Sequence, residues 1–131
     1  MTGVQTCALP ICKQLIGFVP QDDLLIEELT VFQNLWYTAR LCFANLTEKE
    51  IEDRVNTILE DLDLSKIRDL AVGSPIRKTI SGGQRKRLNI ALELIREPAI
   101  LYLDEPTSGL SSTDSEKVIM LLKEQDRKSV V

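Results

Sequence analysis

The readable pattern begins with Leu15-Ile16-Gly17-Phe18-Val19, a short apolar run closed by Pro20 that predicts a buried strand. Gln21-Asp22-Asp23 follows as a polar turn at that strand's carboxyl end. Thr30, with Gln33 three residues on, is a capping-box pattern and predicts a helix start, with Val31, Leu35, Ala39 and Cys42 on one face. A second box, Thr47 with Glu50, predicts a longer helix in which Ile51, Val55, Ile58, Leu59 and Leu62 recur at helical spacing opposite charged residues. From Ser65 to Ile80 the pattern is irregular, with Gly73 and Pro75 as breakers. Ser81 with Gln84 opens a third helix, whose stripe is Leu88, Ala91, Leu92 and Ile95 and which Pro98 ends. Ala99-Ile100-Leu101-Tyr102-Leu103 is unbroken apolar sequence, the pattern of a strand covered on both faces, and Asp104 and Glu105 stand at its end. A last helix is expected from Ser112 or Thr113, with Glu116 in box position, burying Val118, Ile119, Leu121 and Leu122. Strand, helices, strand, helix is the order of an α/β core with a helical insertion.

Composition narrows this picture. A chain of 131 residues is one domain's worth or less, and 44% hydrophobic with 27% charged residues is enough to build a core. A net charge of −4 argues against nucleic acid as a principal partner, because phosphate backbones select basic faces. No apolar run approaches the roughly 20 residues of a membrane-spanning helix. Cys7, Cys12 and Cys42 form no CxxC pair and the chain has no histidine, which disfavours zinc, a disulfide scaffold and histidine-assisted nucleophiles alike. The opening MTGVQTCALPIC has neither helical nor strand periodicity and resembles a translated sequencing adapter. The closing DRKSVV has a similar look, so residues 1–12 and 126–131 are expected to be non-native and stand outside the functional reading.

Two places carry chemistry. The acids Asp104 and Glu105 follow an apolar strand, a rigid mount, and ligand crevices in open α/β sheets lie at the strands' carboxyl ends. There Asp104 can hold magnesium, through water, and Glu105 can accept a proton from an attacking water. A solvated acidic turn is the plain alternative. In Ser81-Gly82-Gly83-Gln84, two glycines at a helix entrance leave N–H groups uncovered, the helix dipole adds positive character, and Ser81 offers a hydroxyl, which together suit a phosphate oxygen. A glycine-led N-cap without ligand is the alternative there. Arg85-Lys86-Arg87 reads as a solvated helix face, since no aromatic residues interleave with it, and Trp36 and Tyr37 read as packing or interface residues rather than an adenine platform.

The ordered set Ile80-Ser81-Gly82-Gly83-Gln84, a helix, then AILYLDEPTSGL resembles the ATP-binding cassette (ABC) ATPases. The resemblance makes Ser81 to Gln84 the signature motif, Ile100 to Asp104 the Walker B strand, Glu105 the catalytic glutamate and Ser108-Gly109-Leu110 the start of the D-loop. Phe18-Val19-Pro20-Gln21 looks like the strand and glutamine of the Q-loop. It covers nearly all of residues 13–125, which it implies are a partial ABC ATPase domain: an α/β, P-loop NTPase (RecA-like) core with the ABC α-helical subdomain. VPQDD, SGGQRKRLNIALELI and LDEPTSGLSS look most like the G-type (white, or eye-pigment) transporters and their bacterial relatives. The resemblance further implies ATP and Mg2+ as ligands, and a second ATPase domain in a head-to-tail pair. Ser81, Gly82, Gly83 and Gln84 would face ATP held by the partner; Gln21, Asp104 and Glu105 would serve ATP and magnesium on this chain's side. A transmembrane permease domain not present in this chain would set it at the cytoplasmic face of a membrane. The alternatives are a soluble ABC ATPase of translation or DNA repair, and a non-enzymatic regulatory module docking through Ser81 to Gln84.

The sequence departs from the family pattern in its phosphate loop. No G-x-x-x-x-G-K-[ST] occurs; Gly73-Ser74-Pro75-Ile76-Arg77-Lys78-Thr79 has Arg77 where the second glycine should be, and Pro75 removes an N–H such a loop would use. Ser111 stands where the family's D-loop usually has aspartate. The purified 131-residue chain should therefore show no magnesium-dependent ATP hydrolysis above background in a phosphate-release assay. Clear turnover that Glu105→Gln abolishes would contradict this.

Overall fold

The computed structural model describes residues 16–74, 76, 77 and 79–128, the last four by backbone alone. Along them run β1 (Ile16–Val19), α1 (Val31–Cys42), α2 (Glu48–Asp61), a 3-10 turn at Ser65–Ile67, α3 (Gly82–Leu94), β2 (Ile100–Leu103) and α4 (Ser112–Lys128). Residues 1–12 lie outside the described residues, as do Pro75 and Lys78 of the glycine-led stretch, and α4 runs past Gln125 to Lys128.

The capping boxes that open α1, α2 and α3 form as the sequence predicts. The hydroxyls of Thr30, Thr47 and Ser81 accept the N–H of Gln33, Glu50 and Gln84, and those side chains accept the N–H of the cap residue in return. The hydrogen bonds from Thr47 hold the exposed Glu50 carboxyl below its ordinary value, the backbone N–H contributing most. At α1 the chain goes further. The stretch after the 3-10 turn returns alongside the helix start, so Val31 N–H donates to Leu70 O at 3.0 Å and Phe32 N–H to Arg68 O at 2.9 Å. These satisfy donors that a helix start otherwise leaves unpaired.

Two apolar clusters form, one on each side of α3. Val31, Leu35 and Ala39 of α1, Ile51, Val55 and Leu59 of α2, and Leu88, Ala91 and Ile95 make the larger. Val19, Ile90 and Val118 make the smaller, with Leu101, Leu103, Leu110 and Leu122 packed against it. The helical insertion and the sheet are thus separate packing units that share one helix. β1 and β2 are parallel neighbours in register Ile16 to Ile100 and Val19 to Leu103.

Three expectations are corrected. The strand pair is covered on one face only: Val19 is fully buried, but Ile16 and Phe18 of β1 and Ile100 and Tyr102 of β2 are half exposed or more. Side chains alternate along a strand, and nothing among the described residues packs on this second face. Second, Arg85, Lys86 and Arg87 do not form a solvated face; all three are buried, at 7%, 8% and 5% exposure. α3 is wedged between two clusters, so these three side chains are enclosed, although Gly82 and Gln84 of the same turn still reach the surface. Third, the last helix starts at Ser112 as expected, but its cap pair is Ser111 with Asp114 rather than one ending at Glu116: Ser111 Oγ accepts Asp114 N–H at 3.2 Å and donates to Asp114 Oδ2 at 2.9 Å, and Ile119 is exposed.

One polar residue holds the insertion in place. Asn34 is 4% exposed; its Oδ1 accepts Ile26 N–H at 2.9 Å, and its Nδ2 donates to Ile26 O at 3.1 Å and Thr30 O at 3.0 Å. The side chain closes the loop before α1 as a strand partner would. Asn34→Ala should lower stability in urea titration by about 1–3 kcal/mol, the cost of leaving such groups unpaired. A change within about 0.5 kcal/mol would mark the loop as held by its other contacts.

Candidate functional site

The strand order puts the sequence-predicted acids and glutamine at one edge. β1 and β2 run parallel, so Pro20-Gln21 and Asp104-Glu105 leave the sheet at the same end, and Asp104 N–H continues the ladder to Val19 O at 3.0 Å. Gln21, Asp104 and Glu105 are exposed there, and their side chains make no hydrogen bond among the described residues. Glu105 has φ 43°, a left-handed conformation uncommon for a residue with a Cβ, and its carbonyl accepts Ser108 N–H at 3.1 Å.

At the start of α3 the two glycines have different surroundings. The N–H groups of Gly82 and Gly83 have no acceptor among the described residues. Around Gly82 a Cβ would meet nothing within 4 Å, whereas at Gly83 it would lie 2.7 Å from the carboxyl carbon of Asp114. Gly82 is therefore the open position. Gly83 is buried, and it is small because α4 begins directly above it. The Ser81 hydroxyl accepts Gln84 N–H at 3.1 Å, which leaves its proton free to donate; the Gln84 amide oxygen is committed to Ser81 N–H at 2.8 Å.

Of these residues Gln21 and Gly82 share a cavity, and Ser81, Gly83 and Gln84 stand outside its lining. A pocket of about 620 Å³ lies elsewhere, on α2, but a smaller one of about 260 Å³ is lined by Gln21, Asp23, Gly82, Lys86, Ser108 and Gly109. The structure thus brings together the glutamine of the first turn, the open glycine of the second motif and the loop after the acids. Asp104 and Glu105 stand outside this cavity's lining. Four residues that sequence reasoning did not single out for the site take part in its construction. Arg85 bridges to Asp23, Lys86 donates to Pro20 O at 3.3 Å, and Asp114 packs on Gly83. The acid two places after Gln21 and the bases immediately after Gln84 were the available signal.

The model of the ABC transporter family matches residues 4–108. The chain belongs to the ABC transporter family. Within that family it is 46% identical over 114 residues to ABC transporter G family member 28 of Arabidopsis thaliana, covering 86% of this chain and 10% of that protein. It is 49% identical over 112 residues to G family member 23 of the same plant, covering 84% and 18%. To the broad substrate specificity ATP-binding cassette transporter ABCG2 of Sus scrofa it is 43% identical over 112 residues, covering 85% and 17%. The chain thus spans between 10% and 18% of the length of these curated relatives. The fold is similar to a solved ATP-binding cassette, MJ0796, in a dimeric post-hydrolysis state bound to ADP and Pi, with TM-score 0.73 and 30% identity over 90% of this chain and 50% of that one. The resemblance to the G-type branch and the P-loop NTPase fold class are both borne out by these findings.

The donors fit the ligands the family implies. No group of three or more metal-binding side chains occurs among the described residues. The Asp104 carboxylate, at the same end of the sheet as Gln21, suits magnesium, which keeps much of its water and needs no protein cage. Open N–H groups at Gly82 and a free hydroxyl proton at Ser81 suit a phosphate oxygen. No helix of the described residues is long and apolar enough to cross a membrane.

The two glycines should separate on mutation. Gly82→Ala gains helix propensity in open space and should raise stability by up to about 1 kcal/mol. Gly83→Ala meets Asp114 and should lower it by about 1–3 kcal/mol, with Asp114→Ala in the same chain restoring most of the loss. Equal effects of the two glycine changes on the melting temperature would refute the distinction.

Proposed function

We propose that this chain is part of the nucleotide-binding domain of a G-type ABC transporter, binding and hydrolysing ATP to power transport across a membrane. One observation carries the reading: Gln21 and Gly82 line a single cavity beside the strand end that bears Asp104 and Glu105. In this reading a second ATPase domain packs head to tail against this one, with ATP between them. The N–H groups at Gly82, the Ser81 hydroxyl and the dipole of α3 receive the terminal phosphate of ATP held mainly by the partner. Gln84 serves that site indirectly, by fixing the cap that aims Ser81; Gly83 serves it by letting α4 close on the helix start.

On the chain's own side, Glu105 accepts the proton of the attacking water while Gln21 orients that water with its amide. Asp104 with Gln21 would hold magnesium, whose charge offsets that of the phosphates. The protein's share of catalysis is positioning and electrostatic stabilisation of a charged phosphoryl group. A permease domain would hold the assembly at the cytoplasmic face of the membrane.

The test is a chimera in which residues 16–124 replace the corresponding segment of a complete ABC ATPase domain. It should hydrolyse magnesium-ATP, and Glu105→Gln should lower kcat by about 10²–10⁴-fold, the range for loss of a general base. A chimera that folds yet turns over equally well with Gln at position 105, or binds no nucleotide, would overturn the proposal.

A further inference from the structure

The buried bases at the head of α3 are aimed at one segment. Arg85 Nε donates to Asp23 Oδ2 at 2.8 Å and Nη2 to Asp23 Oδ1 at 3.1 Å, a side-on pair with both oxygens engaged. The remaining arm, Nη1, donates to Gly73 O at 2.6 Å and Val72 O at 3.3 Å. Gly73 has φ 69°, a left-handed turn that a side chain would strain, and it presents its carbonyl to the guanidinium. Next along the helix, Lys86 Nζ donates to Pro20 O.

Gln21 is therefore bracketed. The carbonyl before it is bound by Lys86 and the acid two places after it by Arg85, both from the turn that follows Ser81-Gly82-Gly83-Gln84. Gln21's own side chain makes no hydrogen bond among the described residues, and the flanking ties are what hold its backbone there. A lysine could not substitute for Arg85, because only the planar guanidinium meets a carboxylate and two carbonyls together.

We propose that Arg85 is a positioning residue that, through Asp23, fixes Gln21 relative to the glycine-led start of α3, so that the two segments move as one body. The importance of this for catalysis rests on the function proposed above, in which those segments face phosphates of different ATP molecules. A shift at one nucleotide would then reach the other through this bidentate ion pair and the Lys86 tie beside it. The pair joins residues 62 positions apart, and the intervening helices α1 and α2 are bypassed.

The experiment needs no nucleotide, so it can fail independently of that function. Backbone 15N order parameters are measured on the 131-residue chain and on Arg85→Gln, Asp23→Asn and Asp23→Glu. Residues 21–24 should be as rigid as the helices in the unmodified chain, about 0.85, and fall below about 0.6 in Arg85→Gln and Asp23→Asn. Asp23→Glu, which keeps the charge, should restore much of the rigidity. The amide resonances of Gly82 and Gln84 should shift with each loss of the pair, while order parameters in Glu48–Asp61 stay constant. Unchanged order at 21–24 would overturn the proposal. Loosening spread equally into Glu48–Asp61 would also overturn it, by showing a general staple rather than a link between two segments. Should Arg85→Gln fail to fold, Asp23→Asn carries the test, since Arg85 then keeps its two carbonyl acceptors.

Discussion

Burial of three consecutive bases is the constraint on which the rest of the structure depends. A guanidinium or ammonium removed from water must be met by oxygen, or the fold loses several kcal/mol. Arg85 is met by Asp23 and the carbonyls of Val72 and Gly73, Lys86 by Pro20 O, and Arg87 by Leu62 O at 3.2 Å, with Gly83 O and the Asp63 carboxylate at longer range. Those oxygens come from the turn after β1, the loop before α3 and the end of α2. Three segments with no regular structure in common are thereby oriented by one helix turn.

That arrangement explains how a small sheet and a helical insertion can share a site. The insertion has its own core around Leu35, Ile51 and Leu88, and the sheet has its own around Val19, Ile90 and Val118. Apolar packing alone would hold each unit together without fixing the angle between them. The polar ties at the head of α3 supply the directional part, because hydrogen bonds to carbonyls have a preferred geometry that methyl contacts lack. The start of α3 is consequently a well-anchored place from which to present an open glycine.

Much of the local structure was legible in the sequence. Three capping boxes, the faces of α1 and α2, and the acid-tipped strand follow from interactions between residues at most four apart, and each is found as expected. The family motifs were legible for the same reason: their meaning lies in spacing. Arg85, Lys86 and Arg87 were misread because helical periodicity distinguishes only apolar from polar. It cannot tell a charge facing water from one facing a carbonyl that is 13, 25 or 66 residues away. Gly83 shows the same limit, since Asp114 comes to it from 31 places further along the chain.

The amino-acid order by itself determined which segments become helices and strands, where each helix begins, and which residues have the chemistry to meet a phosphate or a metal. Tertiary structure decided the rest: that the sheet is covered on one face, that Gly82 is open while Gly83 is closed, and that the basic triplet lies inside and grips the Gln21 turn. The physical reason is range. Caps and amphipathic faces are settled within a turn or two of backbone, while burial and charge pairing belong to whatever the folded chain brings from far away.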